Sequence, residues 1–380
     1  MSEHQLVPHI RFQGFEDEWE QRKLREVAEF INGRAYKQSE LLDAGKYKVL
    51  RVGNFYTNDD WYYSDLELDD KYYVNDGDLL YTWSATFGPH IWHGERVIYH
   101  YHIWKIILFN TLNKLFAIQF LERDKANILS HPNGSTMIHI TKADMENKDI
   151  FIPSVEEQKQ IGSFFKQLDN LITLQQQKLN QLDLLKKALL QNLFPAQGAK
   201  IPELRFKGFE DEWKVEKVDD IAKLYQPKTI SRNQMTKTGY PVFGANGFIG
   251  NYDKKNHSTD QVTISARGEN TGVVSYVSAP VWITGNSMVV NIDNNKSIDK
   301  FFLYSNLSLV NLKKYVTGGA QPQLTKDILK KVEILITLLS EQQKISAFLS
   351  QLDHLIELEQ QKLAKIKQVK KALLQNMFVE

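Results

Sequence analysis

The chain of 380 residues repeats itself once, and that duplication limits its architecture more than any other property. "VPHIRFQGFEDEW" at 7–19 returns as "IPELRFKGFEDEW" at 201–213, an offset of 194. "EQKQIGSFFKQLDNLITLQQQKLNQLDLLKKALLQNLF" at 157–194 returns at 341–378 with about 22 of 38 letters identical, an offset of 184. The first copy therefore holds about ten extra residues between its shared ends. The interiors, 20–133 and 214–317, keep only fragments in common, such as "YKVLRVGN" (47–54) beside "YPVFGAN" (240–246). A solenoid stacks many short repeats. Two large units with shared ends and diverged middles predict an internal pseudo-dimer instead.

The longer shared segment has the pattern of a helix. Ile161, Phe165, Leu168, Ile172, Leu179 and Leu182 follow heptad spacing, interrupted by Gln175, and Ile345, Leu349, Leu352, Ile356, Leu363 and Ile366 repeat it around Glu359. "SVEE" (154–157) and "SEQQ" (340–343) read as capping boxes, with starts that differ by a couple of residues, and Pro195 and Gly198 stop the first helix. A helix of this length spans roughly 57 Å at 1.5 Å per residue. Its stripe needs a partner of equal length, and the other copy is the one available. Connectivity predicts antiparallel pairing, because the first helix carries the chain away from one globular region and the second returns it. The C-terminal "LLQNMF" should then end near "VPHIRF", in a nearly circular molecule with two heads held apart by a rod. The stripe is also wider than a two-strand seam requires. Phe164, Leu171, Leu185, Leu190 and Leu193 in the first copy, with Leu355, Leu373, Leu374 and Met377 in the second, form a flank expected to be covered by another protein.

The fold expected is α+β. Two pseudo-symmetric α/β domains, 1–155 and 196–338, are joined by two long helices, 156–195 and 339–380, that form an antiparallel coiled coil. Without cysteine there is no disulfide framework, thiolate metal site or Cys nucleophile. The N-terminus lacks a signal-peptide layout, and apolar runs such as "IWKIILF" (103–109) are too short to span a bilayer, which predicts a soluble, cytoplasmic chain with no membrane partner. The net charge of +1 hides an asymmetry: residues 1–155 carry 17 Lys+Arg against 23 Asp+Glu, and residues 195–339 carry 19 against 14. A polyanion would be met by local patches, more readily in the second half.

The "IPSVEEQKQI" that opens the first helix, the "KKALLQNLF" that closes it and the return of both resemble the specificity subunit of type I restriction–modification systems. "GSTMIHITKAD" (134–144) and "GGAQPQLTKD" (318–327) resemble that family's end-of-domain signature. The resemblance covers essentially the whole chain. It implies two target-recognition domains, one for each half of a bipartite site in double-stranded DNA, with the coiled coil as spacer. It also implies two modification subunits that methylate adenine and restriction subunits that hydrolyse ATP and cut. The chain itself would be non-catalytic and hold no cofactor, while partner subunits would use S-adenosylmethionine, ATP and Mg2+.

The residues agree with that division of labour. No "NPPF"- or "DPPY"-type motif and no phosphate loop occurs. "GANGFIG" (244–250) reads as turns between strands. His90, His93, His100 and His102 lack a Cys or convincing acidic partner for a metal. Glu157 and Lys159 superficially match a nuclease E-x-K, but a satisfied helix end explains the glutamate better. Base reading needs Arg, Asn, Gln or Ser on loops that reach the major groove. In the first head "LRVGNFYTNDDWYYSD" (50–65) and "YTWSATFGPHIW" (81–92) offer Arg51, Asn54 and Ser84. In the second, "YQPKTISRNQ" (225–234), "SARGENTG" (265–272) and "TGGAQPQ" (317–323) offer Lys228, Arg232, Arg267, Asn270 and Gln321. Arg267 and Asn270 suit bases, and Lys228 and Arg232 suit phosphates. A stand-alone pseudo-dimeric DNA-binding regulator is the alternative, and a coiled-coil scaffold is a further rival. A regulator would cover its own helical flank, and a scaffold would have kept its heads alike.

Overall fold

The computed structural model describes residues 6–56, 58–84, 86–130, 140–317 and 322–379. The chain divides into two units. Unit 1 comprises Met1–Gln176 with Lys362–Glu380, and unit 2 comprises Gln177–Gln361.

In unit 1 the elements run β1 (Glu20–Lys23), α1 (Leu24–Val27), β2 (Ala28–Asn32), β3 (Tyr47–Leu50), β4 (Tyr62–Ser64), β5 (Tyr73–Val74), β6 (Leu79–Thr82), β7 (Gly88–Ile91), β8 (Val97–Tyr99) and β9 (Ile103–Leu108). Then follow α2 (Lys114–Ser130), α3 (Lys142–Glu146), β10 (Asp149–Ile152) and the long α4 (Val155–Asn192). Unit 2 runs β11 (Lys214–Lys217), α5 (Val218–Ile221), β12 (Lys223–Tyr225), β13 (Tyr240–Gly244), β14 (Gly247–Tyr252), β15 (Gln261–Ser265), β16 (Val274–Val277), β17 (Trp282–Ile283) and β18 (Ser287–Asn291). It continues with α6 (Lys300–Leu309), α7 (Lys326–Leu329), β19 (Glu333–Ile336) and the long α8 (Leu339–Asn376).

Among the described residues the strand orders correspond, except that the edge strand β5 of unit 1 has no counterpart in unit 2. Unit 1 has β2-β9-β6-β7, β4-β3-β8-β5 and the ribbon β1-β10; unit 2 has β12-β18-β15-β16, β14-β13-β17 and β11-β19. The parallel pairs, β3–β8 and β13–β17, also correspond. Every residue of β6 and of β15 is buried, as befits inner strands covered on both faces. The diverged interiors therefore share one topology. The extra length of the first copy falls mostly in one place: residues 51–61 join β3 to β4, whereas residues 245–246 alone join β13 to β14.

The two long helices are each 38 residues, and their bounds differ by 184 at both ends. The starts are thus equivalent, which corrects the staggered capping boxes. Ser154 does cap α4, its hydroxyl accepting from the Glu157 amide at 3.3 Å. Ser340 lies inside α8, and the backbone carbonyl of Leu338 takes the first amides there. The helices run antiparallel in each unit. In unit 1 Asp169 of α4 pairs with Lys370 of α8, and Phe165 packs on Phe378. In unit 2 Lys186 pairs with Asp353 and Lys178 with Glu359. Both polar seam residues, Gln175 and Glu359, are buried.

The shorter repeated segment, 7–19 and 201–213, fastens these helices. Arg11 makes a bidentate pair with Glu157 in the first turn of α4, both bonds at 2.8 Å, and Arg205 does the same with Glu341 of α8 at 2.7 and 2.9 Å. Both glutamates are almost wholly buried, and the pairing raises the pKa of each arginine. Phe12 packs edge-on against Phe164, and Phe206 against Phe348. Trp19 enters the core against Phe116 and Phe378, and Trp213 against Phe194 and Phe302. The next helix residue repeats a role as well: the Gln158 carboxamide accepts from the Asn113 amide, and Gln342 from Asp299. Each fastening also holds the far end of the other helix, with the Ile10 amide donating to Asn376 O and the Leu204 amide to Asn192 O, both near 2.9 Å. "VPHIRF" and "LLQNMF" thus meet in unit 1, as connectivity predicts.

Candidate nucleic-acid interface

In each unit the ends of four strands bring four connections to one edge. In unit 1 the His100 amide donates to Leu50 O at the end of β3, the Trp83 amide at the end of β6 donates to His102 O, and the Arg34 amide after β2 donates to Tyr99 O. The connections β2–β3, β3–β4, β6–β7 and β8–β9 are therefore neighbours. In unit 2 the Thr284 amide donates to Phe243 O, the Ala266 amide to Asn286 O, and the Gln226 carboxamide to Gly285 O. The same four connections meet again, and Arg267 forms a bridge with Gln323 beyond them.

The sequence candidates lie on these connections, with unequal freedom. Arg51 donates to Asp60 O at 3.1 Å and lies 4.2 Å over the Tyr62 ring. The Asn54 carboxamide is spent inside its loop, accepting from the Arg51 amide and donating to Asn58 O and Asp60 O at 3.0 Å. Asn54 thus shapes the loop, because both ends of a short amide are already occupied. Ser84 is half-buried on the β6–β7 connection. Lys228, Arg232, Arg267 and Asn270 are exposed. Among the described residues none of those three cations has a carboxylate at ion-pair distance. Gln321 lies outside the described residues.

Sequence reading passed over several neighbours. Arg34 sits at this edge, bound by Glu40 at 2.7 and 2.9 Å. That pairing and a bond from the Lys37 amide lower the Glu40 pKa to about 2. Trp83 donates its indole N–H to Tyr101 O at 3.0 Å and stacks on Trp104. Asn246, in the turn that reads as "NG", accepts a hydrogen bond from Asn270. The turn dipeptide was visible in the sequence, but its neighbour across the fold was not. His90 stacks on Phe55 at 4.1 Å, and burial lowers its pKa to about 4, as it does for His100. Among the described residues no cluster of three or more His, Asp or Glu could hold a metal ion.

The proposed flank on the long helices divides into two sets. Leu193 and Met377 are buried, Leu193 beside Phe194 and Trp213, Met377 beside Phe378 in the core around Trp19. These two are core residues, because the helix ends enter the units instead of staying on the surface. Leu190 packs on the unit 2 core, Leu373 and Leu374 pack on that of unit 1, and Phe164 is half-covered by Phe12. Leu171, Leu185 and Leu355 are exposed, together with Leu174, Leu184 and Leu358. No helix among the described residues is long and apolar enough to cross a membrane.

A model of the type I restriction modification DNA specificity domain matches the chain twice, over residues 16–184 and 210–368. The chain is 22% identical to the type I restriction enzyme MjaVIII specificity subunit of Methanocaldococcus jannaschii, covering 94% of this chain and 91% of that one. It is 25% identical to the putative MjaX specificity subunit of the same organism, covering 94% and 92%. The crystal structure of a type I restriction–modification S subunit from M. genitalium has the same fold, with a TM-score of 0.69 at 16% identity over 98% and 99% of the two chains. Twin units with one strand order, fastened to twin helices and matched end to end by that family, place this chain among the type I restriction–modification specificity subunits.

Proposed function

We propose that each unit reads one half of a bipartite site in double-stranded DNA, and that the long helices set the spacing and dock two adenine-methylating modification subunits. The carrying observation is the shared edge: one scaffold presents four connections at equivalent positions, and their lengths and side chains differ as two half-sites require. Arg267 and Asn270 contact bases, Lys228 and Arg232 contact phosphates, and Arg51 and Ser84 act from the loops of unit 1. Leu171, Leu185 and Leu355 are the helical contacts left for the modification subunits. Restriction subunits complete the assembly, and S-adenosylmethionine, ATP and Mg2+ act on the partners. Family membership favours this reading over a stand-alone regulator.

Methylome sequencing of a host that carries this chain with its modification partner tests the proposal. Exchanging residues 20–133 should change one half-site only. Inserting one heptad into both long helices should lengthen the non-specific spacer and leave both half-sites intact. A single undivided motif, or half-sites altered by the heptad, would refute it.

A further inference from the structure

We propose that the Asn246 and Asn270 carboxamides form one composite reader for an adenine in the half-site served by unit 2; this rests on the DNA-reading role given above. The Asn270 Nδ2 donates to the Asn246 Oδ1 at 3.0 Å, across two different connections of the edge. Both residues are exposed. A hydrogen bond between exposed amides contributes little stability, because water replaces it. The two residues are brought together by the backbone connections that carry them. Besides the second N–H of Asn270, the pair leaves the amino group of Asn246 as donor and the carbonyl oxygen of Asn270 as acceptor. Turning both amides over exchanges their roles and leaves the same two functions.

Adenine presents the complementary couple in the major groove, its N7 acceptor beside its N6 donor. Guanine presents two acceptors there, so one carbonyl would face another. A G·C pair does offer O6 and N4 across the pair, but it lacks the methyl group of thymine. Two exposed apolar side chains suited to that methyl stand within three residues of the pair, Phe248 (64% exposed) and Val273 (43%).

The frame behind the pair is cross-linked by hydrogen bonds. The Ser265 hydroxyl donates to Ala245 O at 2.7 Å, holding the β13–β14 turn against the β15–β16 connection. The Gly268 amide and the Thr271 hydroxyl both donate to Pro322 O, at 3.3 and 3.2 Å. Gly247 and Gly268 each adopt φ +91°, a conformation that side chains rarely reach. A reader held this way loses little freedom on binding.

The test uses the chain assembled with its modification partner. Binding to a panel of duplexes, each varied at one position, is read by fluorescence anisotropy, with the unit 2 half-site assigned by exchanging residues 214–317. Asn246→Ala and Asn270→Asp should each lower the preference for adenine at one shared position at least tenfold, leaving the other half-site unchanged. Asn270→Asp, nearly isosteric, should also favour cytosine there, because a carboxylate accepts from N4. Wild-type preferences in both variants, an effect at a G·C position, or uniform weakening in variants that melt like the wild type would each overturn the proposal. A wild-type assembly with no preference at either half-site would instead sink the DNA-reading role itself.

Discussion

At the edge of unit 1 Arg34 is locked to Glu40, whereas the equivalent positions in unit 2 are Lys228 and Gln234, whose side chain caps Ser231. Arg232 stands where unit 1 has Gln38, and Arg51, on the longer loop, is held by Asp60 and Tyr62. One backbone thus carries two electrostatic settings. Among the described residues unit 2 exposes Lys228, Arg232 and Arg267 with no carboxylate at ion-pair distance, and unit 1 spends Arg34 and Arg51 on internal order. Neither Arg34 nor Arg51 therefore offsets the excess of acid over base in residues 1–155, and under the proposed function phosphate neutralisation at that half-site would fall to other parts of the assembly.

The largest effects should test whether the units are equivalent beneath that edge. Glu157→Ala and Glu341→Ala each remove a buried carboxylate from a partly buried arginine, and each should cost about 3 kcal/mol. Thermal unfolding of the two variants should show matched losses, and a pronounced inequality would break the equivalence. Next comes a position where the fastenings differ. Gly162 lets α4 lie on the start of α2, where an added Cβ would come within 2.6 Å of Leu115 Cβ. The equivalent Ser346 instead donates to Asp299, the N-cap of α6. Gly162→Ser should cost about 1–3 kcal/mol by overpacking, and Ser346→Gly about 1 kcal/mol by loss of one hydrogen bond.

Salt titration of DNA binding sharpens the contrast at the edge. Lys228→Ala and Arg232→Ala should each reduce the log–log slope by about one, uniformly across sequences. Arg34→Ala should leave the slope unchanged, and a shift equal to that of Lys228→Ala would erase the distinction. The smallest effect is on acidity. Because Arg34 holds the folded-state pKa of Glu40 at about 2, below its ordinary 4.5, the contact stabilises the folded loop above pH 4.5 and is lost as pH falls toward 2. Amide protection factors, taken relative to intrinsic exchange at each pH, should fall between pH 5 and 2 in residues 33–46 and not, from this cause, in 226–239, where glutamine cannot titrate.

Much of the frame could be read from the letters. Heptad spacing located the starts of both long helices to within one residue and overran their ends by three and four, and "GANGFIG" marked the β13–β14 turn. What escaped were consequences of distant pairing. Arg11 and Glu157 are 146 residues apart, and no local pattern announces that a cap glutamate will serve an arginine instead. Leu193 and Met377 looked like surface flank because helical periodicity continues to the last turn, yet those turns enter a core assembled around Trp213 and Trp19. The freedom of each edge cation depended on one or two neighbours beyond any local pattern, Glu40 for Arg34 and Asp60 with Tyr62 for Arg51. Composition indicated the sign of each half and could not say which charges were already occupied.

Unit 2 is one continuous stretch of chain, and unit 1 is not. Phe378 lies against Trp19 and Phe116, and the Val379 carbonyl accepts from Arg123. On the ribosome, therefore, the half translated later is the first to possess all its parts. The earlier half must wait, incomplete, until the final residues have emerged.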